Sequence, residues 1–280
     1  MSVDPRSTRS YRVGTSLAAA AGGLLTWLLW WFPLAALFQF SPPVAIAGMV
    51  VLLALFLRIY ALPSRWGARM RARSRVRPVG RAWPWLLVTA PGMVGLSLGL
   101  WCALLALGMA SEVEFGEQVQ KFIEQPGGEA AFYLLAILVG PVMEEFAFRG
   151  WIQRPLERRL GAELAIPLTA LLFALAHMQA DYVPVRLAAG LVLGHAVYAT
   201  RSIWAGVALH VAWNGGVVAF GTAFPEFDPS GKGWAWAAPA AGIAALGLLL
   251  CAWGVRRMQD ETGRARPAHA AARARPVESS

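Results

Sequence analysis

Four long stretches of this sequence contain no Asp, Glu, Lys or Arg: residues 13–57, 82–111, 202–225 and 233–255. A helix needs about 20 mainly apolar residues to cross the hydrocarbon core of a bilayer. The first stretch can therefore hold two membrane spans, and each of the others can hold one. Charged residues make up only 15% of the chain, against roughly 25% in an average soluble domain. The sequence thus predicts an all-α fold, a polytopic bundle of transmembrane helices.

The apolar segments predict eight spans. Their approximate bounds are residues 15–38, 43–62, 84–109, 129–150, 164–179, 183–200, 203–221 and 234–255. Arginines are concentrated before the first span and after the second, fourth, sixth and eighth, whereas the loop 111–128 is acidic. Cytoplasmic loops of membrane proteins carry an excess of Lys and Arg. Eight spans with both termini in the cytoplasm place every basic loop on that side, so we expect this topology.

The basic segments are explained by membrane topology and by attraction to anionic lipid. They are the Arg-rich loop 63–82 and the Arg/Ala/Pro-rich tail 258–280, which is predicted to be disordered. Neither contains a known nucleic-acid-binding motif. We therefore expect the lipid bilayer as a partner and no nucleic acid, and the sequence predicts no particular oligomeric state.

A few ionisable or strongly polar side chains lie inside the predicted spans. They are Glu144, Glu145 and Arg149 in the fourth span, His177 in the fifth, Arg186 and His195 in the sixth, and His210 and Asn214 in the seventh. A charged side chain at the centre of a membrane helix costs roughly 2.5–3.5 kcal/mol on insertion scales, so such residues indicate function. Counting a helix rise of about 1.5 Å per residue places most of this set at one depth, nearer the cytoplasmic side. That layer comprises the two glutamates, His177, His210 and Asn214.

These side chains suggest acid–base chemistry. Arg149 follows Glu145 by four residues and can neutralise it, because positions i and i+4 share a helix face. Glu144 points elsewhere and is left free to act as a general base toward water, while a His/Asn pair can donate hydrogen bonds to a developing oxyanion. Alternatively, Glu144, His177 and His210 could hold a zinc ion that activates water.

Three short motifs follow one another on successive spans. EEFAFR at 144–149 fits EExxxR, FALAH at 173–177 fits FxxxH, and HVAWN at 210–214 fits HxxxN. In this order the series resembles the CPBP family of intramembrane proteases, which includes the CAAX prenyl endopeptidases and bacteriocin-processing relatives and is also called the Abi family. The resemblance implies that Glu144 activates water with His177 as its partner, and that His210 and Asn214 stabilise the oxyanion.

The same resemblance implies supporting roles for three other residues. Glu145 and Arg149 would shape the site, and Phe173 would pack beneath His177. The motifs assign no role to His195. A lone histidine inside a membrane span typically makes a hydrogen bond between helices, and we expect this of His195. The family has been described both as metalloproteases and as metal-independent glutamate proteases. We favour the glutamate mechanism without a cofactor and keep the zinc-dependent version as the alternative.

The resemblance divides the chain into four parts. Residues 1–128 would hold the first three spans, with the basic loop 63–82 and the acidic external loop 111–128. Residues 129–221 would form the catalytic core from spans four to seven, 222–257 would contain the last span, and 258–280 would be the tail.

The implied activity is endopeptidase cleavage of a membrane-anchored protein or peptide, close to the cytoplasmic face. The Arg-rich composition and short loops are typical of a bacterial chain, so we expect the cytoplasmic (inner) membrane. Two other classes remain open from the residues alone. The buried glutamates and histidines could relay protons in a transporter, or the chain could be a catalytically idle immunity or scaffold protein.

Overall fold

The computed structural model of the chain describes residues 5–111 and 117–263, and within these ranges it contains helices and no β-strand. Short 3₁₀ turns lie at Leu37–Gln39, Gly80–Ala82 and Ala180–Tyr182. The longer helices are α1 (Pro5–Ala36), α2 (Pro42–Ala61), α3 (Arg65–Arg73), α4 (Pro84–Ala106), α5 (Glu117–Ile123), α6 (Gly128–Leu160), α7 (Ala162–Ala176), α8 (Val183–Thr200), α9 (Ile203–Ala223) and α10 (Trp234–Thr262).

Seven helices in the described part of the chain are long and apolar enough to cross a membrane: α1, α2, α4, α6, α8, α9 and α10. They confirm the predicted polytopic helical bundle. The predicted fifth span, 164–179, is the shorter helix α7 of 15 residues. Helix α7 ends before His177 because Met178 adopts a left-handed conformation with φ 54°, which an α-helix of L-residues cannot continue. At about 1.5 Å per residue it is shorter than the roughly 30 Å hydrocarbon core.

Helix α6 is the centre of the bundle. In its most apolar window 67% of the residues are buried, and α8 reaches 61%, whereas the other long helices reach only 18–39%. The outer helices instead expose large apolar side chains such as Leu87 and Leu249. Such faces are suited to lipid contact, so the polar residues of α6 are surrounded by protein on most sides.

Tight turns join the central helices at the predicted cytoplasmic end. Gly161 links α6 to α7 with φ 77°, and Arg201 links α8 to α9 with φ 54°. The segment after α3 is tied to the second turn, since Ser202 Oγ donates to the Arg77 carbonyl and Ile203 N donates to the Arg75 carbonyl over 3.0 Å. The Arg-rich loop 63–82 is therefore an ordered part of the bundle.

Three predicted irregular segments contain more helix than expected. The loop 63–82 includes α3, whose first turn is capped by Ser64 Oγ accepting from Gly67 N at 3.0 Å. The acidic loop 111–128 includes α5, and its residues 112–116 lie outside the described residues. The tail predicted from residue 258 begins later, because Met258 is buried and Thr262 Oγ1 donates to the Ala199 carbonyl over 2.8 Å. The remaining tail, 264–280, lies outside the described residues.

Candidate active site

The two adjacent glutamates occupy a short α-helical segment between two π-helical ones. Within α6, Gly140–Glu145 is α-helical, and Leu134–Val139 before it and Phe146–Gln153 after it are π-helical. A π-helical turn changes the direction of the side chains that follow and occurs often at functional sites. All residues from Gly140 to Gln153 are buried. The glutamates thus project into the interior of the bundle from a helix of uneven winding.

Glu145 forms a fully buried ion pair with Arg149. Glu145 Oε1 lies 2.8 Å from Arg149 Nη1, and neither side chain is exposed. The pair is close in distance, although its angles do not make a hydrogen bond. Arg149 Nη2 donates to the Gly190 carbonyl of α8 over 3.3 Å, and its guanidinium lies 4.6 Å from the centre of the Phe173 ring. One glutamate therefore has its charge balanced inside the protein.

His210 joins this pair to the other glutamate. Its Nδ1 lies 3.0 Å from Glu145 Oε1, so Nδ1 carries the hydrogen that the carboxylate accepts. Its Nε2 lies 3.8 Å from Glu144 Oε2. His210 is buried from α9 and packs on Trp213, with ring centres 5.3 Å apart. The imidazole is therefore fixed at one nitrogen and presents the other to Glu144.

His177 approaches Glu144 from another helix in the same way. Its Nδ1 lies 2.8 Å from the Phe173 carbonyl, which can only accept a hydrogen, and its Nε2 lies 3.9 Å from Glu144 Oε2. Its side chain keeps 25% of its surface exposed, against 7% for that of Glu144. Phe173 is buried beneath both imidazoles, with ring-centre distances of 4.9 Å to His177 and 5.6 Å to His210. The structure thus brings one glutamate and two histidines from three helices to a common point.

Asn214 and His195 occupy other places. Asn214 Nδ2 donates to the carbonyl of Ala136 over 2.7 Å, in the π-helical segment eight residues before Glu144. It is on the same helix as His210, one turn away, and its contact lies about two turns along α6 from the acidic pair. His195 Nδ1 lies 2.8 Å from the Leu191 carbonyl of its own helix. We expected His195 to bond a neighbouring helix, but its Nδ1 instead makes a hydrogen bond within its own helix.

Sequence reasoning missed the small residues that make room for the buried charges. A β-carbon at Gly206 would overlap Glu145 Oε2, and Gly190 supplies the carbonyl that accepts from Arg149. Gln153 repeats the pattern one turn further, donating to the Gly194 carbonyl over 3.1 Å. A signal for Gly206 exists in the sequence, since it precedes His210 by four residues and shares its helix face.

We also tested whether these side chains fit a metal ion. No group of three or more His, Cys, Asp or Glu side chains within residues 5–111 and 117–263 is arranged to hold one. Glu144 Oε2 lies 3.8 Å from Nε2 of His210 and 3.9 Å from Nε2 of His177, so one water molecule can contact the carboxylate and an imidazole together. We therefore derive no step through zinc.

Comparison with known proteins relates this site to one family. The profile of a family described as type II CAAX prenyl endopeptidase Rce1-like matches residues 126–216. Among curated proteins, the chain is similar to the membrane-embedded CAAX protease MroQ of Staphylococcus aureus (strain USA300), with 26% identity over 153 residues. The alignment covers 51% of this chain and 60% of that protein, so less than two thirds of the relative is spanned. No solved structure matches the chain significantly.

The matched segment runs from the start of α6 into α9 and contains all three motifs that carried the sequence resemblance. It also contains both glutamates and both histidines of the buried cluster. The seven long apolar helices make the chain an integral membrane protein. Through residues 126–216, the chain is similar to the membrane-embedded CAAX proteases, which agrees with the resemblance to the CPBP family that its motifs carry.

Proposed function

We propose that this protein is an intramembrane endopeptidase in which Glu144 activates a water molecule. The observation that carries the proposal is the position of Glu144 Oε2, 3.8 Å from Nε2 of His210 and 3.9 Å from Nε2 of His177. The similarity to a family of proteases supports the reaction class. Hydrolysis of a peptide bond needs a base that activates water and groups that stabilise the oxyanion.

The hydrogen-bonding state of the two imidazoles supports a water-binding site. Each Nδ1 donates to an oxygen, of Glu145 in one case and of the Phe173 backbone in the other. In the neutral ring, each Nε2 is then an acceptor. Glu144 Oε2 lies 3.8–3.9 Å from each of these acceptors, so a molecule that donates one hydrogen to the carboxylate and one to an imidazole can bind between them. Water does so while keeping a lone pair for attack on a carbonyl carbon.

Glu145 has a different task from Glu144 in this mechanism. Paired with Arg149, it remains a carboxylate at the Nδ1–H of His210. That contact orients the imidazole and stabilises the imidazolium that forms when Nε2 takes over, from Glu144, the proton that Glu144 removed from water. Protonated His210 can then donate from Nε2 to the developing oxyanion. Glu145 and Arg149 are therefore positioning residues, and Glu144 and His210 touch the reacting atoms.

We assign His177 and Asn214 to the substrate side of the reaction. The partial exposure of His177 suits a group that exchanges protons with water and the leaving amine. Asn214 uses one amide hydrogen on Ala136 and has a second for the substrate carbonyl. The functional core in this proposal is residues 129–221, helices α6 to α9.

The substrate is proposed to be a membrane-anchored protein or peptide. The site lies about midway along the 33 residues of α6, within reach of a peptide bond only where that bond enters the membrane. The arginine pattern supports a cytoplasmic position for the end of α6 that follows the site, and the proposed membrane is a bacterial inner membrane. The names of the family and of the relative refer to CAAX sequences, and for this chain we propose the broader class of anchored substrates.

The test compares membrane proteomes of cells that carry the wild-type chain or Glu144→Gln. Removing a general base is expected to slow cleavage about 10²–10⁴-fold, so substrate accumulates uncut while the variant protein inserts normally. Reconstitution of the purified chain with the identified substrate then measures the rate directly. His195→Ala is the control, because it removes an imidazole outside the cluster.

Three outcomes would contradict the proposal. Unchanged product formation by Glu144→Gln would remove the base from its role. Proton flux through liposomes that depends on Glu144, without peptidase activity, would favour a transporter. Stoichiometric zinc in the active protein, together with inhibition by a chelator, would replace the glutamate mechanism by metal-activated water.

A further inference from the structure

A second cluster of charge lies away from the acidic pair, at the end of the bundle predicted to be cytoplasmic. A cavity of about 820 Å³ opens there between the segment after α3, the end of α6, the start of α7 and the α8–α9 turn. Glu157 and Glu163 are the acidic residues of its lining, so the lining carries a formal charge of +4. Its arginines are Arg71, Arg75, Arg77, Arg154, Arg158 and Arg201.

The cavity is distinct from the proposed active site. Arg154 follows Glu144 by ten residues on the same helix, which corresponds to about 15 Å along the axis. No residue of the Glu144, His177 and His210 cluster lines the cavity. We call this second feature the arginine cavity.

Three of the arginines build its walls. Arg71 donates to backbone carbonyls at the end of α2, Arg77 donates to carbonyls of the α8–α9 turn, and Arg75 pairs with Glu157. Glu157 also accepts from Gln153 over 2.8 Å. The Glu157 carboxylate is therefore already paired with Arg75, and its charge does not neutralise the other arginines of the cavity.

The other three arginines are the ones that can bind a ligand. Arg154 Nη1 is buried and has no hydrogen-bond partner among the described residues. Arg158 and Arg201 are exposed at the mouth. Arg201 is held with φ 54°, a conformation that costs free energy for a residue other than glycine and recurs at ligand sites. Like charges gathered around one cavity repel unless an anion lies between them.

The backbone and the rim add to this pattern. Helix α7 begins at the cavity, and the residue before it, Gly161, has no side chain to cap the free N–H groups. The positive end of a 15-residue helix thus faces the same space, as in many phosphate sites. Leu160 and Leu164 also line the cavity and are 36% and 63% exposed. Apolar side chains beside a cationic site suit a ligand with both an anionic and a hydrocarbon part.

We propose that the arginine cavity binds the phosphate group of an anionic phospholipid. Arg154, Arg158 and Arg201 donate to the phosphate oxygens, for which the planar guanidinium fork is well matched. Leu160 and Leu164 contact the acyl chains. This second contact favours a lipid headgroup over free phosphate as the source of the anion.

The test is native mass spectrometry of the full chain in detergent with added phosphatidylglycerol or phosphatidylcholine. Wild type is expected to retain phosphatidylglycerol about tenfold more than phosphatidylcholine, because arginines near a membrane surface favour anionic lipid. Arg158→Gln with Arg201→Gln is expected to remove most of that preference. The matched control is Arg69→Gln with Arg73→Gln, which removes the same charge from exposed positions of α3 outside the cavity.

Each result decides between the alternatives. Equal retention of the two lipids by wild type overturns the proposal, and so does an equal loss of preference in the control pair, since both would mean general attraction of a basic protein to anionic lipid. A third arm adds inorganic phosphate at millimolar concentration. Complete displacement of phosphatidylglycerol there would assign the site to free phosphate and overturn the lipid source. Thermal unfolding of each variant is expected to match wild type, so that a lost preference is not caused by a changed fold.

Discussion

Two regions of this bundle hold helices together by opposite means. In the polar centre, α6 contacts α9 through the buried charges of Glu145, Arg149 and His210. Helix α4 contains no charged residue, and neither does α10 up to Val255. Between these two helices the backbones approach through glycines. A β-carbon at Gly247 would overlap the backbone of α4, and one at Gly99 would lie 2.5 Å from the Ala244 backbone nitrogen of α10.

The difference separates stability from chemistry. Small residues allow close van der Waals packing, which is a main source of association between helices in lipid. At such an interface, a change in side-chain volume alters the stability of the bundle and leaves the reaction rate unaffected. The polar centre is sensitive to charge, because each buried charge depends on one partner, and its geometry also positions the reacting groups. Substitutions in the two regions should therefore fail in different assays.

The largest expected effect is that of Arg149→Met. The change leaves the Glu145 carboxylate buried without its counter-charge, and breaking a buried ion pair in this way costs about 3–5 kcal/mol. We expect a large fall in accumulation and in thermal unfolding temperature, with cleavage abolished. Adding Glu145→Gln should restore much of the stability, because the charge is then gone, but leave cleavage impaired.

This double variant is the sharper half of the experiment. A purely structural pair would regain both stability and activity when both charges are removed together. Arg69→Met, at an exposed position of α3, controls for the loss of an arginine. If Arg149→Met unfolds at the wild-type temperature, the buried pair does not hold α6 in place.

The second effect is that of Gly206→Ala, in the polar centre. A β-carbon there would overlap Glu145 Oε2 and lie 2.7 Å from Val197 Cγ2, so the carboxylate that contacts His210 through Oε1 must shift. A displacement of about 1 Å in a catalytic arrangement can cost about 10²-fold in rate. We expect kcat to fall by about that factor, with a smaller loss of stability. An unchanged kcat would show that the contact between Glu145 and His210 does not position the site.

Gly247→Ala makes the same chemical change in the apolar interface and should behave differently. Its added carbon overlaps the backbone of α4 at Leu96, and overpacking of this kind costs about 1–3 kcal/mol. We expect a lower unfolding temperature with kcat per folded molecule unchanged. Gly242→Ala is the control on the same helix, where a β-carbon meets nothing within 4 Å. A fall in kcat for Gly247→Ala would contradict the separation of the two regions.

The polar centre could largely be predicted from the sequence, because charges in an apolar context are conspicuous and helix geometry is regular. The four-residue spacing gives the contact between Glu145 and Arg149, and counting residues from the turns brings Glu144, His177 and His210 to one depth. Charge-free stretches of sufficient length give the spans in the same way. For Asn214 the spacing did not give its hydrogen-bond partner, the carbonyl of Ala136, which precedes Glu144 by eight residues in α6.

The remaining features depend on packing that no local pattern contains. The π-helical segments on both sides of Gly140–Glu145 follow from how α6 fits its neighbours. The pairing of α4 with α10 could not be predicted, since all apolar helices look alike to a hydropathy argument. The arginine cavity required three segments distant in sequence to meet. From the sequence, its arginines indicated only membrane topology.

The smallest expected effect is that of His195→Ala, and its value lies in the contrast with His177→Ala. The two histidines make the same local contact, with Nδ1 2.8 Å from the carbonyl four residues earlier. Only His177 places its Nε2 near Glu144, at 3.9 Å. We expect His177→Ala to lower the cleavage rate about 10²–10⁴-fold and His195→Ala to change it by less than about threefold, with stability altered by about 1 kcal/mol or less for a lost hydrogen bond. Equal losses in both variants would mean that intramembrane histidines matter here as helix-packing residues, and that proximity to Glu144 is not what gives His177 its role.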